Sequence, residues 1–429
     1  MMSTPPPPRR LEVWLEERKV GELREQGNLW AFEYAADWRE SGFDLAPALP
    51  RAEGGIVDGA SLRPVQWFFD NLLPEEGARR LLAEDAGVDP ADAFGLLQHY
   101  GPESAGALSL LAPGQALPAP GLQPLPDEVL SARIRALPRS PLGAGAPKRM
   151  SLAGAQHKLA VVLHEGRLWE PVGSAASTHI LKPDHERADD YPHSAANEWF
   201  CMSLAAACGL SVPAVGLRQV PEAVYMVRRF DRAGDGLEAR RLYALDACQA
   251  LSLDAVFKYR EATTERLLQL VDLCRRPAAT RVALLRWQIF NLLIGNGDAH
   301  LKNLSLLMGP GTGDMQLAPH YDLLSTAVYR APDWGGGELV FPMGHARTFG
   351  AVRRADVVAF GAAIGVPEQA TLRQLDRLVA DAPVHGRRLL EECEQRGAVP
   401  VHAGETRLLR QIVFGVMEDA VRPLRPRAG

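Results

Sequence analysis

The chain has 429 residues, too many for one ordinary hydrophobic core, so two or three subdomains are expected. Its composition, 47% hydrophobic and 23% charged, is typical of a soluble globular protein. The formal net charge of −5 gives no electrostatic basis for nucleic-acid binding by this chain alone, because phosphate contacts need clustered lysine and arginine.

The five cysteines and the N-terminus exclude further classes of protein. An odd number of cysteines without a C-x-x-C pair argues against a disulfide scaffold or a structural zinc site, and it favours a reducing cytoplasm. The sequence MMSTPPPPRR lacks the apolar segment of a signal peptide. No run of about 18 uncharged apolar residues occurs, so we expect no membrane association.

The first 111 residues read as a tail followed by a small α/β subdomain. Residues 1–10 are expected to be a disordered tail, and residues 11–111 form the subdomain. A hairpin of residues 11–15 and 19–23, a helix ended by Pro74 and helices at 77–86 and 90–98 are predicted within it.

Two stretches rich in Pro and Gly flank a short predicted helix at 127–137. We interpret residues 112–150 as a linker or long surface loop that contains this helix. Residues 151–235 resemble a small nucleotide-binding lobe, and residues 236–429 are mostly helical with a catalytic loop. In the small lobe we predict strands at 159–164, 168–172, 179–182 and 223–227 and a helix at 194–208.

The segment 295–325 carries the most specific chemistry. Asp298 and Asn303 have the D-x-x-x-x-N spacing of a protein-kinase catalytic loop, in which Asp accepts the proton of the substrate hydroxyl and Asn holds a metal. Strands at 304–308 and 315–318 are predicted next, followed at once by Asp322. A kinase places its second magnesium-binding Asp in this context, and hard oxygen ligands suit magnesium.

Upstream residues fit the same chemistry. Lys182 ends a predicted strand and Glu198 lies in the next helix, which is how kinases hold the phosphates of ATP. Residues 151–158, SLAGAQHK, form a tight turn of small side chains through which backbone N–H groups can approach phosphate, although the turn is neither G-x-G-x-x-G nor a Walker A sequence.

Three alternatives remain open from the residues alone. Asp298, His300, His320 and Asp322 could form a metal-dependent hydrolase site, which predicts hydrolysis without ATP but leaves Lys182 and Asn303 unexplained. A catalytically silent kinase-like scaffold predicts nucleotide binding without transfer. A small-molecule kinase would have the same core chemistry.

Several motifs in this order resemble the HipA family of toxin kinases over nearly the whole chain. They are FFDNLLP at 68–74, GPESAGA at 101–107, SLAGAQHK at 151–158, HILK at 179–182, NEW at 197–199, RFDR at 229–232, GNGDAHLKN at 295–303 and PHYDLLS at 319–325. The resemblance implies an α+β fold: a two-lobed protein-kinase-like fold with an extra N-terminal α/β subdomain and a mostly helical C-terminal lobe.

The resemblance also implies roles for single residues. Asp298 would be catalytic, and Asn303 and Asp322 would hold Mg²⁺. For Lys302 the residues themselves leave two roles open, neutralising charge on the transferred group or a solvated surface lysine, and His300 is expected to orient the loop by hydrogen bonding. Ser151 would be an autophosphorylation site. The ATP-binding residues would be Lys182, Glu198, Ser151, Ala153, Gly154, Lys158, Val227, Arg228 and Phe230.

Partners follow from the same resemblance. The substrate would be a serine of a cellular protein, with an aminoacyl-tRNA synthetase as a candidate. A HipB-like helix-turn-helix antitoxin would restrain the kinase and carry any DNA binding.

The sequence departs from the family pattern at two positions that concern nucleotide binding. Arg228 and His157 each stand where the family pattern has Glu.

Overall fold

The computed structural model describes residues 7–53, 55–309, 313–330, 334–395 and 401–426. The chain forms two compact units, and both are discontinuous in sequence. The first unit consists of Met1–Leu181, Arg229–Phe257 and Leu306–Gly313, and the second of Lys182–Arg228, Lys258–Ser305 and Asp314–Gly429. Each unit is therefore assembled from segments that lie far apart in the chain.

The N-terminal part of the first unit is an antiparallel five-stranded sheet in the order β4-β3-β2-β1-β5. The predicted hairpin is confirmed: Leu11 lies opposite Leu23, and both side chains are fully buried. The elements are β1 Arg9–Leu15, β2 Arg18–Gln26, β3 Leu29–Tyr34, α1 Ala36–Ser41, β4 Gly55–Val57, α2 Pro64–Asp70, α3 Glu76–Ala86, α4 Ala93–Tyr100 and β5 Leu108–Leu111.

Strand β1 begins earlier, and helix α4 begins later, than the sequence predicts. Residues 1–6 lie outside the described residues, whereas Arg9 and Arg10 already belong to β1. Arg9 is fixed there by ion pairs of 2.7 Å with both Glu25 and Asp92. Helix α4 begins three residues later than predicted, because the Asp92 side chain caps it by accepting from Gly95 N.

The region expected to be a linker contains regular structure. Strand β6 (Gly121–Pro124) pairs antiparallel with β8 (Arg167–Val172). The predicted helix is confirmed as α5, Asp127–Ala136, and the predicted hairpin as β7, Leu159–His164, with β8. Strand β9, His179–Pro183, crosses from the first unit into the second.

The second unit begins with a helix and a hairpin. Helix α6, Ser194–Ala207, packs on β11, Ala223–Arg228, which pairs antiparallel with β10, Val215–Gln219. Both α6 and β11 were predicted, but β10 was not, because its sequence VGLRQ lacks alternation and its residues are all only half-buried.

The chain then returns to the first unit and leaves it again. The returning segment contains β12 Arg232–Ala233, β13 Arg240–Arg241, β14 Ala244–Asp246 and α7 Ala247–Ala250. The second unit continues with α8 Thr264–Asp272 and α9 Pro277–Ile294, and α9 is buried almost all round from Leu284 onward. Strands β15, Ser305–Met308, and β16, Met315–Leu317, stand where the sequence predicts them.

The remainder of the second unit is mostly helical. Its hydrophobic core includes the fully buried rings of Trp287, Phe290, Phe341 and Phe360. None of the helices in the described residues is long and apolar enough to cross a membrane. The elements are β17 Glu338–Met343, β18 Ala346–Thr348, α10 Arg354–Ala363, α11 Glu368–Glu394, α12 Ala403–Gln411, a π-helical turn Ile412–Met417 and α13 Glu418–Val421.

Candidate active site

One buried lysine joins two acidic residues in the second unit. Lys182 Nζ at the end of β9 lies 2.7 and 3.0 Å from the two carboxylate oxygens of Glu198 in α6. The same amine donates to Asp322 Oδ1 at 2.6 Å. The side chains of Lys182 and Glu198 are buried, whereas that of Asp322 is 30% exposed. The structure therefore brings three sequence-predicted residues together, with one carboxylate open to solvent.

The charge of this cluster favours a cation. Burial alone would lower the pKa of Lys182, but the carboxylates of Asp322 and Glu198 outweigh burial and raise it above its usual value. Lys182 therefore stays charged at neutral pH. One positive and two negative groups leave the cluster with a net charge of about −1, so a further cation near Asp322 is electrostatically favourable.

Asn197 is a buried residue that holds the segment after Asp322 against α6. Its Nδ2 donates to Ser325 O at 2.9 Å and to Tyr329 Oη at 3.0 Å, and its Oδ1 accepts from Ser325 N at 2.9 Å. Since Asn197 precedes Glu198, helix α6 supplies Glu198 to the cluster and also fixes the segment that follows Asp322. The sequence marked Asn197 only as part of a motif.

The predicted catalytic loop follows the buried helix α9 and is held by amide side chains. Asn296 Nδ2 donates to Asn291 Oδ1 in α9, and Asn296 Oδ1 accepts from Asp298 N at 3.0 Å. Asn303, in a short 3-10 helix Leu301–Asn303, donates through Nδ2 to Asp298 O at 2.8 Å. Because Nδ2 of Asn303 is used within the loop, its Oδ1 is the atom that can bind a cation.

Tyr321 connects the loop with Asp322. Its hydroxyl donates to Lys302 O at 2.7 Å and lies 2.7 Å from Ser305 Oγ. Lys302 and Tyr321 are therefore hydrogen-bonded to each other. Each is followed directly in the sequence by a proposed metal ligand, Lys302 by Asn303 and Tyr321 by Asp322. Asp322 has φ +60°, an uncommon conformation for a residue with a side chain, and such strain is concentrated at functional sites.

The sequence did not identify Tyr259, which contacts Asp298 directly. The Tyr259 hydroxyl donates to Asp298 Oδ1. Tyr259 stands 39 residues before Asp298 in a segment with no recognised motif, so no spacing rule could have found it. His300 is buried and its ring packs edge-on against Tyr259, with ring centroids 4.9 Å apart.

Lys302 and His320, two residues for which the sequence left more than one role open, are both buried. Lys302 is 6% exposed, so it is not the solvated surface lysine that the sequence left open. His320 stacks on Trp287, and burial lowers its pKa to about 4. In the part of the chain that the structure describes, no group of three or more His, Cys, Asp and Glu side chains is arranged to hold a metal ion.

The predicted phosphate loop belongs to the first unit. Ser151 is buried, its N donates to Glu103 O at 2.9 Å, and its Oγ has no hydrogen-bond partner among the described residues. Lys158 Nζ donates to Ala153 O at 2.6 Å and closes the loop on itself. Gly154 has φ +106°, a backbone conformation that residues with a side chain rarely adopt, so the loop favours glycine at this position.

The residues predicted to contact adenine lie on both sides of a unit boundary. In the second unit, Val227 is buried and Arg228 is exposed at the end of β11, with Arg228 N donating to Ala214 O. Phe230 is half-buried in the first unit. Arg228 stands at the position where the family pattern has Glu, and its side chain is exposed to solvent.

A second buried ion cluster lies in the first unit and was not predicted. Glu103 is fully buried, and Lys148 and Arg241 bind its Oε2 at 2.8 and 2.6 Å while Arg232 binds Oε1 at 3.1 Å. Arg229 pairs with Asp231 at 2.7 Å. Burial alone would raise the pKa of Glu103, but the surrounding cations hold it well below its usual value.

Known sequences and structures show similarity over nearly the whole chain. The profile of the HipA N-terminal domain matches residues 11–111, and that of the HipA-like C-terminal domain matches residues 150–385. The "Serine/threonine-protein kinase toxin HipA" of Shewanella oneidensis is 31% identical over 394 residues, which is 87% of each chain. The "Putative kinase Y4mE" of Sinorhizobium fredii is 41% identical over 342 residues, covering 75% of this chain and 78% of that protein.

A solved structure confirms the predicted α+β, kinase-like fold. A chain in the complex of Shewanella oneidensis HipA, HipB and operator DNA superimposes with a TM-score of 0.80 at 28% identity. The superposition covers 96% of this chain and 97% of that chain, so it includes both the N-terminal subdomain and the region with Lys182, Asp298 and Asp322.

Proposed function

Because the chain belongs to the HipA family and is a protein kinase of that family, we propose that it transfers the γ-phosphoryl group of ATP to a serine or threonine of a cellular protein through Lys182, Asp298, Asn303 and Asp322. The observation that carries this proposal is the Lys182 amine bound to both Glu198 and Asp322. A buried lysine held by a helix glutamate beside a metal-binding aspartate is the arrangement that kinases use to fix phosphates.

Each residue has a role that its contacts support. Glu198 holds the Lys182 ammonium group in place, so that the ammonium can bind phosphate oxygens of ATP. The carboxylate of Asp298 orients the incoming hydroxyl and accepts its proton, and Lys302, next to Asn303, offsets negative charge during transfer. Most of the rate enhancement then comes from positioning and charge neutralisation.

The donor set at Asn303 and Asp322 fits magnesium. Both offer oxygen atoms, Asp322 is partly open to solvent, and the adjacent cluster carries excess negative charge. Mg²⁺ prefers one or two protein oxygen ligands together with phosphates and water, and when bound it neutralises charge on the phosphates.

Ser151 is the proposed site of autophosphorylation. Its Oγ is buried, so phosphorylation requires the loop of residues 151–158 to open first. The added dianionic group cannot return to a buried place without hydrogen-bond partners, and this disfavours the closed loop. Modification of Ser151 would thereby switch the kinase off.

We further propose the partners and the compartment that the family suggests. A HipB-like antitoxin would restrain the kinase, in line with the complex of Shewanella HipA, HipB and operator DNA. The net charge of −5 makes that partner, not this chain, the DNA-binding component. An aminoacyl-tRNA synthetase is the first protein substrate to test, and an ATP-dependent reaction of this kind belongs in the cytoplasm.

The proposed function is tested by incubating the full-length protein with Mg²⁺ and γ-labelled ATP and mapping the labelled residue by mass spectrometry. We expect label on Ser151, dependent on Mg²⁺ and absent in Ser151→Ala. Bound nucleotide with no label on any protein, including a supplied synthetase, would instead support a silent scaffold. Hydrolysis of a phosphoester without ATP, stimulated by Zn²⁺ or Mn²⁺, would support the hydrolase alternative.

A further inference from the structure

We infer that Tyr259 is a positioning residue for phosphoryl transfer and that its hydroxyl sets the orientation of the Asp298 carboxylate. The inference deepens the proposed function and rests on it, because it needs Asp298 to be the group that accepts the substrate proton. Its starting point is the hydrogen bond from Tyr259 Oη to Asp298 Oδ1.

The Tyr259 ring is fixed in place although 45% of the residue is exposed. The His300 ring packs edge-on against it at 4.9 Å, and the ammonium group of the buried Lys258 lies 5.2 Å from its centroid. Edge-on aromatic pairs and cations over ring faces both hold a phenol in one orientation. An exposed tyrosine without such contacts would sample several rotamers.

The backbone that carries Tyr259 is attached to the catalytic loop itself. Lys258 O accepts a hydrogen bond from Leu301 N at 3.2 Å, and Tyr259 O accepts from Ala262 N at 3.1 Å. Leu301 lies midway between Asp298 and Asn303 in the loop. The phenol and the carboxylate are therefore held by the same short piece of structure, so their hydrogen bond is pre-organised.

The direction of this hydrogen bond determines what it can do. A phenol donates and a carboxylate accepts, so the bond occupies one side of Oδ1 and fixes the rotation of the Asp298 carboxylate group. An aspartate that must meet a substrate hydroxyl benefits from a single orientation, because proton transfer requires hydrogen-bond geometry. Tyr259 acts through Asp298 and forms no bond to the transferred group.

The test compares Tyr259→Phe with the wild type in phosphoryl transfer from γ-labelled ATP to the full-length protein. Loss of the phenol oxygen is expected to lower the maximal rate constant about tenfold, because a hydrogen bond to a charged group is removed. The ATP concentration that gives half the maximal rate should not change, since Tyr259 does not touch the Lys182 cluster. The melting temperature should also be unchanged, because the ring contacts remain.

A double-mutant cycle separates positioning from a general structural effect. In an Asp298→Asn background, Tyr259→Phe should cause no further loss, because the carboxylate that the hydroxyl orients is no longer there. The matched control is Tyr191→Phe, whose ring contacts with His185 at 4.8 Å and Tyr329 at 5.4 Å survive the change. This control should have the wild-type rate.

The outcomes distinguish this inference from the proposed function. Wild-type transfer that is lost in Asp298→Asn supports the proposed function whatever Tyr259 does. A Tyr259→Phe variant with the wild-type maximal rate overturns the inference. A variant faster than the wild type also overturns it, because the hydroxyl would then be blocking Asp298. Equal losses with and without the Asp298 carboxylate would likewise contradict a role through Asp298.

Discussion

At the residue scale, the two buried ion clusters carry opposite excess charge. Around Lys182, two carboxylates face one ammonium group. Around Glu103, the cations Lys148, Arg229, Arg232 and Arg241 face two carboxylates, and burial and the nearby Arg229 lower the pKa of Arg232 to about 10. The first arrangement suits a site that takes up a metal ion, whereas the second is saturated by its own hydrogen bonds and stabilises the first unit.

Glu103→Gln is expected to lower the free energy of unfolding by about 3–5 kcal/mol at neutral pH, because several buried cations lose their shared counter-ion. Urea and thermal unfolding monitored by circular dichroism measure this change. The control is Glu33→Gln, which alters an exposed pair with Arg24 and should cost less than about 1 kcal/mol. Equal effects of the two substitutions would contradict a structural role for the Glu103 cluster.

The Glu103 cluster should also make the stability of the protein depend on pH. The folded-state pKa of Glu103 lies below its value in the unfolded chain, so its contribution to stability is complete above the unfolded pKa and is lost as pH falls toward the folded pKa. Below about pH 4.5 the wild type should therefore lose stability more steeply than Glu103→Gln. Parallel curves for the two proteins in this range would show that Glu103 does not supply the acid dependence.

At the element scale, the end of α9 determines where the catalytic loop starts. Gly295 caps the helix with φ +64°, and its N donates to Leu292 O. A Cβ at this position would lie 2.5 Å from Ala327 Cβ and 2.8 Å from Val416 Cγ1. The helix can therefore end here, and the chain can turn toward Asp298, only with glycine at position 295.

Gly295→Ala should reduce both stability and catalysis. The substitution combines an unfavourable backbone conformation with a steric clash, which together cost about 2–4 kcal/mol, and relief of the clash moves the loop that carries Asp298. Melting temperature and phosphoryl-transfer rate measure the two effects. Gly87→Ala is the matched control, since Gly87 caps α3 with φ +67° but has nothing within 4 Å of the added Cβ.

For Gly87→Ala we expect a loss of about 1 kcal/mol from the backbone conformation alone and no change in the transfer rate. If Gly295→Ala were no more harmful than this control, the catalytic loop would not depend on the packing of residue 295. If it lost stability but kept the full rate, the loop would be able to hold Asp298 correctly from a displaced helix end.

At the scale of the whole molecule, local patterns predicted elements better than they predicted the association of distant segments. The hairpin of β1 and β2, helix α6 and the order of motifs around Asp298 depend on local sequence, and the structure contains the corresponding elements. Whether Lys182, Glu198 and Asp322 meet could only be inferred by resemblance, because Asp322 is 140 residues from Lys182.

Contacts between residues far apart in the chain escaped prediction. Tyr259 and Glu103 act through partners that are 39 and up to 138 residues away, and no spacing in the sequence encodes those pairs. The strand β6 was hidden within a segment rich in Pro and Gly, because its pairing with β8 compensates for poor intrinsic propensity. The contacts within each of the two units likewise join segments far apart in the chain, which local sequence patterns do not encode.

We propose that phosphoryl transfer depends on Asp298, and the single-turnover rate of transfer from γ-labelled ATP in Asp298→Asn and wild-type protein measures this dependence. The substitution preserves size and leaves the backbone contact with Asn303 available. We expect the Asp298→Asn variant to have a rate at least about 100-fold lower, with ATP affinity and melting temperature retained. A variant that kept the full wild-type rate would contradict this proposal.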